Sequence, residues 1–320
     1  MLDEWKVIDI IVKTIGHPKK IFSQIGDDVA WTKKAMTKDK FVIKCDMLVG
    51  NTDVPRGMTL RQAARKSIVA CVSDFASKGI KPWGSLISLG FPRSFNEEKV
   101  HELANGFKDA QVEYEIEIVG GDTNETTDLI IDCTMFGWGK HVSSRDGAGV
   151  DEVVCVTGDF GLQPLGVDIL SSVKQIKSPK LKEKAVNAVL YPRARLDFGL
   201  AVNKTMMMTS SLDSSDGLAI SLYEIAQHSH VDIVLNEIPI NGTLKTNNEL
   251  GEKEKINYTF FGGEEYEIVF TCKLRDFSKV QEISEDTGVQ VKKIGTTLEG
   301  AGRVYLNSEI LPKKGWVHFT

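Results

Sequence analysis

Ile118-Val119-Gly120-Gly121-Asp122-Thr123 joins a run of strand formers to two glycines and an acid. Two later stretches repeat the pattern. One is Ser210-Ser211-Leu212-Asp213-Ser214-Ser215-Asp216-Gly217, which follows Met206-Met207-Met208; the other is Phe260-Phe261-Gly262-Gly263-Glu264-Glu265. Nearer the N-terminus, Ile25-Gly26-Asp27-Asp28 pairs two carboxylates, Asp46 interrupts the apolar stretch 41–49, and Asp74 shares a small-residue helix surface with Ser67, Ala70 and Cys71. Glycine after a strand lets the backbone approach a ligand closely. Carboxylates gathered there without a cation repel one another and rise in pKa. Mg²⁺ removes that conflict, because it takes oxygen ligands and commonly binds one or two carboxylates plus substrate phosphates. The recurrence therefore points to a phosphate site holding several Mg²⁺ ions. Singly, each acid has a plainer reading. Asp27 or Asp28 suits an ordinary turn, Asp46 pairing with Lys44 on its strand, and Asp213 or Asp216 a cap for a helix starting near Gly217. Met206–Met208 reads as core strand.

Around these acids the chain alternates strands and helices. Trp5, Ile8, Ile11, Val12 and Ile15 form one stripe, predicting a helix over 3–15. Strands are expected at 41–49, 84–91, 115–119 and 129–138. A helix is expected from an N-cap at Thr59 to about Lys78, stopped by Gly79, and another over 96–113 capped by Asn96. The polar stretch Ser143 to Gly149 suits a domain junction. Beyond it come strands at 152–157, 205–212, 231–235, 265–272, 290–295 and 303–306, with helices at 162–173, 180–189, 217–229 and 276–286. This mixture implies an α/β (α+β) architecture in two halves.

At 320 residues, two domains are the expectation, and a chain of this size needs no disulfide or metal to fold. Hydrophobic residues make up 42 % and charged residues 26 %, as in ordinary globular proteins. With 39 Lys and Arg against 44 Asp and Glu, the net charge of −5 speaks against a nucleic-acid or anionic-membrane partner. No apolar run approaches the roughly 18 residues of a membrane span. The acidic start Met1-Leu2-Asp3-Glu4 lacks the basic flank of a signal peptide. Five scattered cysteines without a CxxC pair suit reduced thiols in a cytoplasmic protein, and the six histidines form no zinc pattern. Walker, GxGxxG, protein-kinase and GxSxG motifs are all absent, so a nucleotide enzyme of this type would hold phosphates through metals.

In order, the segments IGDD, CDMLV, VSDFASKG, GGDT, LDSSDGL and FGGEEYEI closely resemble the thiamine-monophosphate kinase family. That family belongs to the superfamily of aminoimidazole-ribonucleotide synthetase, selenophosphate synthetase and the hydrogenase-maturation dehydratase. The resemblance spans about residues 20–320. It implies an N-terminal mixed α/β domain (1–148) that binds ATP and Mg²⁺ and dimerises, an α+β domain (149–320), and a homodimer whose N-terminal strands meet across the two-fold axis. The implied reaction is phosphoryl transfer from ATP to thiamine monophosphate, giving thiamine diphosphate and ADP. Asp28, Asp46, Asp74, Asp122, Asp213 and Asp216 take the positions of Mg²⁺ ligands, with Asp74 and Asp213 closest to the metal-assisted chemistry and Asp27 orienting its neighbour. Gly121, Asp122, Arg145 and Ser215 resemble the ATP contacts. Glu264 and Trp316 resemble the residues that meet the thiamine moiety; Arg145 and Trp316 are also consistent with a solvated loop charge and a tail aromatic. The chain departs from the family where Lys44 and Cys45 replace small hydroxyl residues, and where Asp53 replaces a substrate-facing histidine. The rival expectations are another ATP-dependent enzyme of the superfamily, of the aminoimidazole-ribonucleotide synthetase type, or a silent nucleotide-binding dimer.

Overall fold

The computed structural model describes residues 27–32 and 38–317, together with Lys6, Val12, Thr14 and Ser23. The helix expected over 3–15 lies outside the described residues, except that Lys6, Val12 and Thr14 are helical.

Residues up to 139 supply one five-stranded sheet, in the order β1-β2-β5-β3-β4. Its strands are β1 (Ala30–Trp31), β2 (Lys40–Val49), β3 (Pro82–Phe91), β4 (Glu117–Glu125) and β5 (Ile130–Gly139). A short turn, α1 (Gly50–Asp53), follows β2. The long helix α2 (Leu60–Ser77) opens on a reciprocal cap: the Gln62 amide donates to Thr59 Oγ1 at 3.2 Å, and the Thr59 amide to Gln62 Oε1 at 2.9 Å. It ends at Gly79, whose φ of 64° is the left-handed turn that glycine adopts freely. Helix α3 (Glu97–Tyr114) is capped by the Asn96 side chain, as expected.

The second half forms a seven-stranded sheet in the order β12-β11-β8-β10-β6-β9-β7. Its strands are β6 (Glu152–Thr157), β7 (Met208–Ser214), β8 (Val231–Leu235), β9 (Glu267–Lys273), β10 (Val291–Glu299), β11 (Val304–Leu306) and β12 (Glu309–Ile310). Between them lie α4 (Leu162–Leu170), α5 (Pro179–Leu190), α6 (Leu196–Lys204), α7 (Leu218–Ser229), α8 (Gly242–Lys245), α9 (Glu252–Phe261) and α10 (Phe277–Thr287). Three of these helices, α6, α8 and α9, were not expected from the sequence.

Helix α2 is buried along most of its length and touches β2 and β5 on one side, β7 and β9 on the other. One apolar cluster therefore runs through both sheets. It joins Val42, Ile68, Val72, Phe75, Ile131 and Met135 to Phe198, Val202, Met208, Ile268 and Phe270. The segment 140–151 between the sheets is not a free linker, because the Ser211 amide donates to the Ser144 carbonyl at 3.0 Å.

Three local expectations change. Gly120-Gly121-Asp122 is no turn but the middle of β4. A Cβ on Gly121 would stand 1.8 Å from the Ile87 carbonyl oxygen, so the neighbouring strand's approach is what requires glycine. The Met206–Met208 run is not core throughout: Met208 is buried, whereas Met206 is exposed. Phe260-Phe261 closes helix α9 instead of a strand.

Candidate active site

The inner face of β2, the adjoining face of α2 and the end of β7 meet at one cleft of about 750 Å³. Asp46 and Lys44 alternate with outward residues on β2, so both point toward α2. On α2, Lys66, Ser67, Ala70 and Asp74 recur at helical spacing and all line the cleft. Asp213 comes from the end of β7, with Ser215 and Asp216 in the turn before α7.

Asp28, Asp74 and Asp213 each aim a carboxylate oxygen so that the three lie within 4.8 Å of one another. Burial, reinforced by Asp213, Asp46 and Asp28 and opposed by Lys44, pushes the Asp74 carboxyl well above its ordinary range. Burial, then the charge of Asp28, pushes Asp213 up to about 7. Burial acts to raise Asp28 too, but Lys78 and Arg145 outweigh it and hold that carboxyl down to about 2. Three hard oxygens, two of them crowded at a cost to their ionisation, are a donor set that suits Mg²⁺. Asp46 and Asp216 line the same cleft.

Three cations that stand among these acids were not assigned that role by sequence. Lys44 Nζ lies 2.8 Å from Asp74 Oδ2. Lys78 is fully buried, 2.8 Å from both Asp27 Oδ1 and Asp28 Oδ2, and donates to the Ser211 carbonyl. Lys66, also buried, donates to the Asp53 carbonyl at 2.8 Å and to the Glu264 carboxylate. A signal for them existed: Lys66 lies eight residues before Asp74 and Lys78 four after, both at helical spacing from it.

Asp53, Glu264 and Trp316 line the same cleft, with Asp53 and Glu264 against Lys66. The Asp53 carboxylate accepts from the Val49 amide at 2.6 Å, so it fixes the end of β2. Glu264 and Tyr266 both have positive φ, 66° and 53°, an uncommon backbone for such residues and one that tends to collect at functional sites. It is held by Glu264 N to Ser215 O at 2.6 Å and Tyr266 N to Ser214 O at 3.0 Å. The Trp316 amide donates to the Asp216 carbonyl at 2.9 Å, which ties the tail to the acidic turn.

Besides Asp28, which joins the acidic cluster without lining the cleft, three expected site residues do not reach the cleft of their own chain. Arg145 is taken up by carboxylates: its guanidinium meets Asp28, lies 3.0 Å from Glu224 and 3.6 Å from Asp27. It supports Asp28 from behind. Gly121 and Asp122 sit on edge strand β4. Asp122 pairs with Ser88, Ser88 with Asp132, and Asp132 with Met47. Residues paired across a sheet share a face, so Asp122 shares one with Met47 and lies opposite to Asp46. Three strand spacings also separate it from β2, roughly 14 Å. Asp122 therefore does not join Asp74 and Asp213 within one chain.

The profile of the family described as AIR synthase related protein, N-terminal domain, matches residues 26–139. Thiamine-monophosphate kinase of Nitrosopumilus maritimus (strain SCM1) is 37 % identical over 321 residues, covering 99 % of each chain. That of Pyrococcus abyssi (strain GE5 / Orsay) is 35 % identical over 301 residues, covering 92 % of this chain and 90 % of its own. The solved structure of AaThiL complexed with AMPPCP and TMP superposes with a TM-score of 0.86 at 30 % identity, over 99 % of this chain and 97 % of that one. With the fold, the order of the acidic segments and full-length identity in agreement, the chain belongs to the thiamine-monophosphate kinase family.

Proposed function

We propose that this protein transfers the γ-phosphoryl group of ATP to the phosphate of thiamine monophosphate, giving thiamine diphosphate and ADP. The observation that carries the reading is the convergence of Asp28, Asp74 and Asp213, of which Asp74 and Asp213 line a cleft also lined by Glu264 and Trp316. The acceptor is a phosphate, already ionised near neutral pH, so the site needs no strong general base. Among the described residues, no histidine lines the cleft. Mg²⁺ held by Asp28, Asp46, Asp74, Asp213 and Asp216 would neutralise the phosphate charges as they approach. The residues of the chain then bind and orient. Ser215, exposed beside Asp216, offers its hydroxyl to the nucleotide. Lys66 fixes the Glu264 carboxylate, which faces the cationic end of thiamine monophosphate together with Asp53. The exposed Trp316 ring offers a face to the thiazolium, an arrangement favoured by cation–π attraction.

We further propose a division at 148/149 into the two domains, a cytoplasmic location and a homodimer formed through the outer face of the first sheet. Supporting the dimer, that face carries exposed apolar side chains: Met47 at 57 %, Trp83 at 60 % and Leu86 at 43 %. Trp83 also stacks obliquely on Trp138, with centroids 5.0 Å apart. Gly121 and Asp122 lie on the edge strand of this sheet, so a second copy packed there would bring them to its neighbour's cleft. Among the described residues, no helix is long and apolar enough to cross a membrane.

The test is ADP release, coupled to a spectrophotometric readout, with thiamine monophosphate as acceptor. Turnover that disappears with EDTA is expected. Turnover with formylglycinamidine ribonucleotide instead would move the enzyme to the purine branch of the superfamily.

A further inference from the structure

We propose that the Lys44 ammonium is a built-in cation of the acidic cluster, standing in the place of one divalent ion. The inference rests on the metal reading above and concerns how many ions the site takes.

Of the three converging acids, Asp28 is already matched by two cations of the protein, Lys78 at 2.8 Å and Arg145. Asp74 and Asp213 have no such backing. What faces them is Lys44, which projects from the inner face of β2 beside Asp46. Its Nζ lies 2.8 Å from Asp74 Oδ2 and occupies an oxygen that an ion would otherwise use. Asp74, Asp46 and Asp213 all draw on its charge. Three carboxylates and one ammonium leave two net negative charges, the charge of one dication. An ion there keeps Asp74 Oδ1 and Asp213 as ligands, and Lys44 retains Oδ2. A magnesium ion demands near-octahedral oxygen ligands at about 2.1 Å. An ammonium on Asp74 Oδ2 therefore competes for that oxygen's lone pairs and excludes a second ion from the position. The tether makes this cation permanent: it neither dissociates nor responds to the divalent-ion concentration.

The experiment counts Mn²⁺ bound per chain by electron paramagnetic resonance, with AMPPCP present, in the wild type, Lys44→Ser, Lys44→Ala and Lys44→Arg. One more Mn²⁺ is expected in Lys44→Ser and Lys44→Ala, and the wild-type count in Lys44→Arg. Removing the lysine also leaves Asp74 without its partner, so the melting temperatures of the Ser and Ala variants should rise further on adding Mn²⁺ than that of the wild type. This second readout works even where a variant is weakened. Equal counts and equal melting shifts in all four proteins overturn the inference and leave the metal reading standing. Unchanged counts with at least a tenfold loss of AMPPCP affinity in Lys44→Ala also overturn it, and assign Lys44 to the phosphates. No Mn²⁺ on any of the four overturns both.

Discussion

Asp213 and Asp28 lie within 4.8 Å of each other through their carboxylates yet respond to pH in opposite senses. Asp213, raised by burial and by Asp28 to about 7, keeps its proton in the fold while the unfolded chain loses it near pH 4. As pH rises from about 4 to 7, the unfolded state therefore binds fewer protons and the metal-free protein loses stability. Asp28, held at about 2 by Lys78 and Arg145 against burial, adds stability above its unfolded value that is lost as pH falls from about 4 toward 2. In EDTA, the melting temperature should decline between about pH 4 and 7, and Mg²⁺ should raise it more at pH 8 than at pH 5. Scanning fluorimetry across that range checks both; a metal-free melting temperature that climbs up to pH 7 contradicts the assignment. Asp74→Asn should cut turnover by about a hundredfold or more, since it removes a central ionic ligand. Its melting temperature should stay close to that of the wild type, because relief from Asp213 and Asp46 offsets the lost Lys44 pair. Wild-type turnover in that variant would take Asp74 out of the site.

Helix α2 explains why much of the site was legible in the sequence and why part was not. The Thr59 cap, the Gly79 stop and the small residues Ser67, Ala70 and Cys71 that share a surface with Asp74 are local signals, so its ends and the setting of Asp74 followed from spacing alone. Helix α9 gave no such signal: Glu252 to Lys255 are charged, and its buried residues are Lys255, Thr259 and Phe260. Helix α6 is short and carries Gly199 in its middle, where a helix ordinarily weakens. That glycine answers to packing instead: a Cβ there would lie 2.0 Å from the Ala76 carbonyl in the last turn of α2. Gly199→Ala should therefore cost about 1–3 kcal/mol of stability by overpacking. By displacing the turn that carries Ser77 and Lys78, it should also weaken Mg²⁺ binding. Chemical denaturation and metal titration of the same variant check the two effects. The face occupied by Asp122 was not legible because cross-strand register decides it. That register depends on an irregularity between Ser85 and Leu86 and on partners far away in sequence.

At the scale of the molecule, the apolar cluster that runs through both sheets makes the two halves interdependent, and the Lys78 tether to Asp27, Asp28 and the Ser211 carbonyl reinforces that junction with buried polar contacts. The first sheet's outer face is the complement of this arrangement: its apolar side chains Met47, Trp83 and Leu86 stand exposed. Leu86→Glu should convert a species of twice the chain mass into one of the chain mass in light scattering after gel filtration. It should also depress turnover while leaving the circular dichroism of the fold intact. A variant that stays paired and fully active would place the contact elsewhere.

Asp122 pointing away from its own chain's cleft has a genetic corollary. Two inactive alleles, Asp122→Asn and Asp74→Asn, would be defective in different components of a composite centre, so co-expression should rescue what neither achieves by itself. Random assortment makes half the pairs hybrid, and each hybrid rebuilds one of its two centres, for about a quarter of normal output. Silence in the mixture would mean that every chain works with its own aspartates alone.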